Sequence, residues 1–202
     1  MTGVGESLGV PVDGACLDCG GDLEAVFGDH GIVIDCTECA ASVTSPDVPP
    51  GLLADSDPEG APELVGRWNH VQFAAKDAGI CRNCYNETDR TLYLTTDEDA
   101  PDWLEDSGLL GMEFYDCTRC GATLNVAVQV AVLSHPRVAA YHYEHGVDVR
   151  ETPTWQFDWI ETGRGTVEDC DPVRLALPIP LGDECRTFVF DGDLDLVEVR
   201  TE

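Results

Sequence analysis

Four cysteine pairs with one spacing constrain this chain more than any other feature. Cys16 with Cys19, Cys36 with Cys39, Cys81 with Cys84, and Cys117 with Cys120 each have two residues between their thiols. Only Cys170 and Cys185 stand outside the pattern. A pair of this kind serves as a redox-active dithiol, as part of a disulfide framework, or as half of a tetrahedral metal site. A redox dithiol works as a single pair at the start of a helix, whereas these pairs come in twos around hairpin-like stretches. The arrangement predicts two structural sites holding two Zn(II) ions, with an iron-sulfur or rubredoxin-like iron centre as the alternative.

The stretch between the first two pairs explains how four thiols meet. Leu23 to Phe27 and Ile32 to Asp35 are strand-forming, and "GDHG" (Gly28 to Gly31) supplies turn chemistry, so a β-hairpin is expected with a cysteine pair at each end. Gly20, Gly21, Ala40 and Ala41 leave room for backbone amides to turn toward sulfur. A Pro-, Gly- and Asp-rich segment follows and reads as a linker. Leu64, Trp68, Val71 and Ala75 then fall at helical spacing from Glu63 to Ala78, with Gly79 as the stop. The third and fourth pairs repeat the ribbon plan, with strands at Thr91 to Thr95, Met112 to Asp116 and Thr123 to Val128. The acidic stretch 96–108 becomes an insertion at the hairpin tip.

Beyond the ribbons, Ser134 is placed as an N-cap, Pro136 in the first turn and Gly146 as a C-cap, which predicts a short helix. Trp155, Phe157 and Trp159 are expected on one face of a strand, and three further strands follow with turns at "LGDE" and "DGDL". Pro178 and Pro180 place the first of these three at a sheet edge. The expected fold class is α+β: two small four-cysteine ribbon units and a C-terminal domain with a helix on an antiparallel sheet. The expected divisions are a tail at 1–13, a first ribbon at 14–45, a linker at 46–62, a helix with the second ribbon at 63–126, and the C-terminal domain at 127–202. Within that last domain, Tyr141, Trp155, Phe157 and Trp159 are candidates to line a crevice for a small apolar ligand or a partner protein. His142 and His145 are expected to pack near the helix end, and Cys170 and Cys185 to be buried thiols, with a thiol or soft-metal sensor as the alternative.

Charge narrows the function further. The balance of 11 Lys+Arg against 39 Asp+Glu gives a formal charge of -28, and Lys76 is the only lysine. Such self-repulsion is relieved at multi-molar salt, where the Debye length shrinks to about 3 Å or less, so the composition suits a salt-adapted cell. Arginines lie scattered from Arg67 to Arg200 without a basic stripe, and direct DNA binding by this chain alone is not expected. The start lacks a basic region followed by an apolar one, and no apolar run reaches membrane-spanning length, so a cytoplasmic protein with no membrane partner is expected. A reducing cytosol disfavours structural disulfides. With four protein thiolates a site is closed to water, and neither a phosphate loop nor a nucleophile elbow is present, so no enzyme is expected.

The order "CLDCGG", "CTECA", "GRWNHVQFAAKDAGICRNC", "YDCTRCGATL", "LSHPRVAAYHYEHGVDV", "PTWQFDW" and "DPVRLAL" resembles the C-terminal region of haloarchaeal ArsR-like winged-helix transcription regulators over nearly the whole chain. The resemblance implies an effector or interaction module linked to transcription regulation. The DNA-reading winged helix that precedes this region in such regulators has no counterpart between Met1 and Cys16. Two expectations of different class follow: a zinc-built regulatory or protein-interaction module, and a metal/thiol sensor or small-ligand-binding effector.

Overall fold

The computed structural model describes residues 9–201 apart from 17, 29–30, 40, 44–47, 54, 106 and 161–163. Helices and three antiparallel sheets are combined, with a four-cysteine cluster in each of two small ribbons and a C-terminal sheet domain. The chain separates into two compact units, Met1–His70 with Arg150–Asp158, and Val71–Val149 with Trp159–Glu202. This differs from the five-part division expected from sequence. The boundary falls inside a helix, and a nine-residue return segment belongs to the N-terminal unit.

In the first unit, β1 (Gly9–Ala15), β2 (Asp22–Gly28) and β3 (Gly31–Cys36) form a sheet in that order. The expected hairpin is present, with Leu23 opposite Cys36 and Gly28 opposite Gly31. The middle of its "GDHG" turn lies outside the described residues. The supposed N-terminal tail supplies β1, because Val10 and Val12 alternate with exposed neighbours and pack against the core while Val12 pairs with Leu23. The supposed linker also does more than connect. Its described residues include α1 (Pro50–Leu53) and a 3-10 turn at Pro58–Gly60, and Val48 and Ala61 are buried against Ile32, Ile34 and Ala25. A hairpin this small has one open face, and these residues close it.

α2 (Ala61–Asp77) follows, close to the expected span, and Gly79 reverses the chain with a φ of 66°. The return segment is not the strand expected from Trp155, Phe157 and Trp159. It forms two single 3-10 turns, Thr154–Gln156 and Asp158–Ile160. Trp155 joins the core of the first unit, and Gly14 makes room for it: a Cβ there would sit 2.9 Å from the Trp155 carbonyl oxygen. The Gln156 side-chain amide donates to the Asp13 carbonyl at 3.2 Å, and the His70 ring meets the Thr152 carbonyl at 3.0 Å.

In the second unit, β4 (Asp89–Leu94), α3 (Asp102–Glu105), β5 (Gly111–Asp116) and β6 (Thr123–Ala127) build the other ribbon. The acidic insertion is anchored at its tip, since Leu104 is fully buried while Trp103 is exposed. α4 (Val128–Ala131) leads to α5 (Pro136–Glu144). The N-cap of α5 is His135, whose Nδ1 accepts from the Arg137 amide, whereas Ser134 donates to the Ala131 carbonyl in the preceding turn. β7 (Thr166–Cys170), β8 (Val173–Leu181), β9 (Glu184–Phe190) and β10 (Leu196–Thr201) form a sheet ordered β10-β9-β8-β7. β7 was not foreseen, and it puts β8 inside the sheet. Its pairing with β8 stops at Ala176, so Pro178 and Pro180 sit where β8 is bonded on the β9 side alone and their missing N–H groups cost no ladder bond. α5 lies on this sheet through Tyr141 against Phe188, with ring centroids 5.7 Å apart.

Candidate metal centres

Each ribbon brings its four cysteines together by one local device. The amide of the first cysteine of each pair donates to a carbonyl five residues on: Cys16 to Gly21, Cys36 to Ala41, Cys81 to Asn86 and Cys117 to Ala122, at 2.7–3.0 Å. This folds every pair into a tight knuckle with both thiols on one side. Further amides then point at sulfur, those of Glu38 and Cys39 at Cys36 Sγ (3.3 and 3.4 Å) and that of Asn83 at Cys81 Sγ (3.4 Å).

The hairpins carry the knuckles to meet. In each cluster all four Sγ atoms lie within 4.8 Å of one another. Cys16 and Cys39 approach to 3.6 Å, Cys19 and Cys36 to 3.5 Å, Cys81 and Cys120 to 3.6 Å, and Cys84 and Cys117 to 3.5 Å. Zn–S bonds of about 2.3 Å in a tetrahedron require sulfurs about 3.8 Å apart, close to these separations and far beyond the roughly 2.05 Å of a disulfide. The donor set fits a divalent ion that accepts four thiolates. Two thiols in each cluster are buried and one faces solvent, Cys19 in the first and Cys120 in the second.

The protons of each cluster are unevenly held. The Glu38 amide lowers the Cys36 thiol to about 7 against the opposing effect of burial. The amides of Cys84 and Asn83 lower Cys81 to about 6. The Ala41 amide works in the same sense on Cys39, but hydrogen bonding with Cys36 and burial outweigh it and push that thiol up to about 12. A cation entering such a cluster displaces protons, which ties metal affinity to pH.

The other expected sites fare differently. Tyr141, Trp155, Phe157 and Trp159 are all buried. Trp155 and Phe157 belong to the first unit and Tyr141 and Trp159 to the second. Trp159 donates its indole N–H to His142 Nε2 at 3.0 Å, while His142 Nδ1 meets the Val138 carbonyl at 2.8 Å. That fully buried histidine is thus a neutral core residue, and burial lowers its pKa. Cys170 is exposed and Cys185 half-buried, contrary to the expectation of buried thiols. They pair with Val173 and Pro180 at opposite ends of β8. Seven residues of strand separate those partners by on the order of 20 Å, so the two thiols form neither a disulfide nor a shared metal site.

One polar cluster in the second unit went unread in the sequence. Glu113, 2% exposed, accepts from Lys76 Nζ at 3.2 Å, from Arg90 Nε and from the Tyr115 hydroxyl at 2.8 Å. Burial, then the Glu113 charge, raises the Tyr115 pKa. A signal was present: Glu113 shares the inward face of its strand with Gly111 and Tyr115, and Lys76 is the single lysine of the chain. A cleft of about 600 Å³ opens beside this network, lined also by Thr88, His135 and Asp195.

No described helix is long and apolar enough to cross a membrane. No curated protein and no solved structure matches the chain. One family model does match, over residues 13–196, taking in both thiol clusters and the C-terminal sheet, and the chain belongs to that family, described as a domain of unknown function (DUF7351).

Proposed function

We propose that this chain is a non-enzymatic zinc-binding module that regulates or recruits another protein in a salt-adapted archaeal cytoplasm. The observation that carries this reading is the closure of both centres by four thiols, a donor set that leaves no position for an activated water and that suits a structural ion. Metal binding of about 10–16 kcal/mol in small finger peptides exceeds what a short hairpin buries, so the ions fold the ribbons. Zn(II) is favoured because four thiolates in tetrahedral spacing suit it without redox chemistry. The charge of -28 supports salt adaptation and disfavours phosphate as a direct partner. The resemblance to the C-terminal region of ArsR-like regulators supports a link to transcription through a protein partner rather than through DNA contact by this chain.

Native mass spectrometry with elemental analysis tests the reading. Two zinc ions per chain, lost together with ribbon structure on chelation, are expected; one ion, none, or iron would overturn it. A second reading, a small-ligand effector, is favoured by the cleft beside Glu113, and equilibrium dialysis against a metabolite set separates it from pure protein recruitment.

A further inference from the structure

Three of the four knuckles share a turn whose fifth residue is described in full. The amides of Gly20, Tyr85 and Gly121 donate to the carbonyls of Cys16, Cys81 and Cys117 at 2.8, 3.0 and 2.9 Å. All three residues follow the second cysteine of a pair, and all three are left-handed, with φ of 73°, 59° and 71°. Glycine adopts that conformation freely, whereas a side chain there brings Cβ against the following carbonyl. Tyr85 therefore occupies a glycine position. Its ring gives nothing back to packing, because it is 81% exposed and its hydroxyl has no hydrogen-bond partner among the described residues. Stability alone would favour glycine at this place, and a strained backbone that displays an aromatic ring points to recognition.

The surroundings indicate what is recognised. Ile80, also exposed, bridges to Glu87 across the base of the same knuckle. Asp89 and Asp116 stand directly opposite each other on β4 and β5, and neither has an ion-pair partner among the described residues. Opposed like charges on adjacent strands repel. Asp116 precedes Cys117, whose Sγ lies 3.5 Å from that of Cys84, so this carboxylate pair sits at the knuckle end of the sheet. Exposed carboxylates and an exposed ring at the same knuckle end of the sheet, which also carries Arg82 and Arg119 between its cysteines, suit a cation that stacks on the ring and answers the charges.

We propose that the first knuckle of the second ribbon docks a basic, arginine-bearing protein segment, with a guanidinium over the Tyr85 ring and further basic groups toward Glu87, Asp89 and Asp116. The proposal rests on the protein-interaction reading above and gives it a partner chemistry. The net charge of -28 favours this occupant over a nucleic acid.

The test titrates the zinc-loaded full chain into a fluorescein-labelled peptide of alternating arginine and glycine, at moderate and multi-molar salt. Tyr85→Gly is expected to weaken binding about tenfold or more, as loss of an aromatic anchor does, and at the same time to raise the melting temperature, because it relieves the left-handed strain. The Asp89→Asn/Asp116→Asn double variant is expected to weaken it less, and mainly at lower salt. Tyr143→Ala, a control at another exposed tyrosine of the same unit, is expected to bind as the unaltered chain does. Unchanged binding by Tyr85→Gly, equal loss in Tyr143→Ala, or tighter binding to single-stranded or duplex nucleic acid than to the peptide would each overturn the proposal. A lower melting temperature in Tyr85→Gly would overturn it too, by making the ring structural. Zinc content is measured on every variant: two ions per chain with no peptide binding defeats the docking proposal alone, whereas absent zinc defeats the module reading beneath it.

Discussion

The two ribbons solve the same coordination problem with different supports. Both bring two knuckles together through a hairpin and hold four sulfurs within 4.8 Å. In the first, the third strand is β1, ahead of the first knuckle; in the second it is β6, behind the last. The first ribbon closes over aliphatic side chains, Leu23, Ile32 and Ile34 with Trp155. The second instead buries a carboxylate, Glu113, with Lys76 and Arg90 donating to it. The four-thiol arrangement is thus common to both ribbons in its knuckles and the hairpin between them, while what covers the sheet differs. A buried ion pair is poor stabilisation but demands specific partners, whereas an aliphatic face accepts many.

The largest break in this comparison removes the feature the ribbons share. Cys36→Ser and Cys117→Ser are each expected to drop metal content from two ions to one and to unfold the ribbon concerned, with a loss approaching the roughly 10–16 kcal/mol of apparent zinc binding in finger peptides. Residue-resolved NMR of the zinc-loaded chain shows which ribbon melts; melting of both by either change would make them one cooperative unit.

Next come changes that separate the supports. Glu113→Leu takes the buried carboxylate from Lys76, 4% exposed in its side chain, and leaves it the half-exposed Asp77 at 2.9 Å; the change is expected to cost about 3 kcal/mol in denaturant unfolding. Lys76→Met combined with Glu113→Leu should recover most of that loss, because well-packed apolar groups replace a buried pair at little cost. In the first ribbon, Ile34→Val at a fully buried position is expected to cost only about 0.5–1.5 kcal/mol, the usual consequence of one lost methylene. Equal sensitivity of the two ribbons to charge removal would erase the distinction.

The smallest effect is a pH dependence confined to the second unit. Burial lowers the His142 pKa, so the folded chain holds this ring neutral while the unfolded chain protonates it near the ordinary value of about 6.5. The associated stability is therefore full above about pH 6.5 and declines as pH falls toward the lowered folded value. Protonation also removes the lone pair that accepts the Trp159 indole N–H. His142→Gln is expected to flatten this slope in thermal melts, after subtraction of the acid release of metal common to both proteins.

The cysteine knuckles and the hairpins were written in the residues, whereas the α5 cap at His135 and the 3-10 turns around Trp155 and Trp159 were not. Spacing of two between thiols, glycine or alanine after three of the four pairs, and alternation in Leu23–Phe27 and Met112–Asp116 marked the knuckles, the hairpins and the eight clustered thiols, because a knuckle closes within six residues and each hairpin joins strands that are neighbours in sequence. Tertiary structure alone decided the rest. Val10 and Val12 became a strand because β2 offered an edge, and Val48, Leu52, Leu53 and Ala61 became a cover because the first hairpin had an open face. Trp155 and Trp159, four residues apart, belong to different units and sit on separate 3-10 turns rather than on a shared strand face. The Lys76–Glu113 contact joins residues 37 positions apart. Periodicity reports which side of an element is buried, but the partner across the core is chosen by packing between distant segments, and no local pattern encodes it.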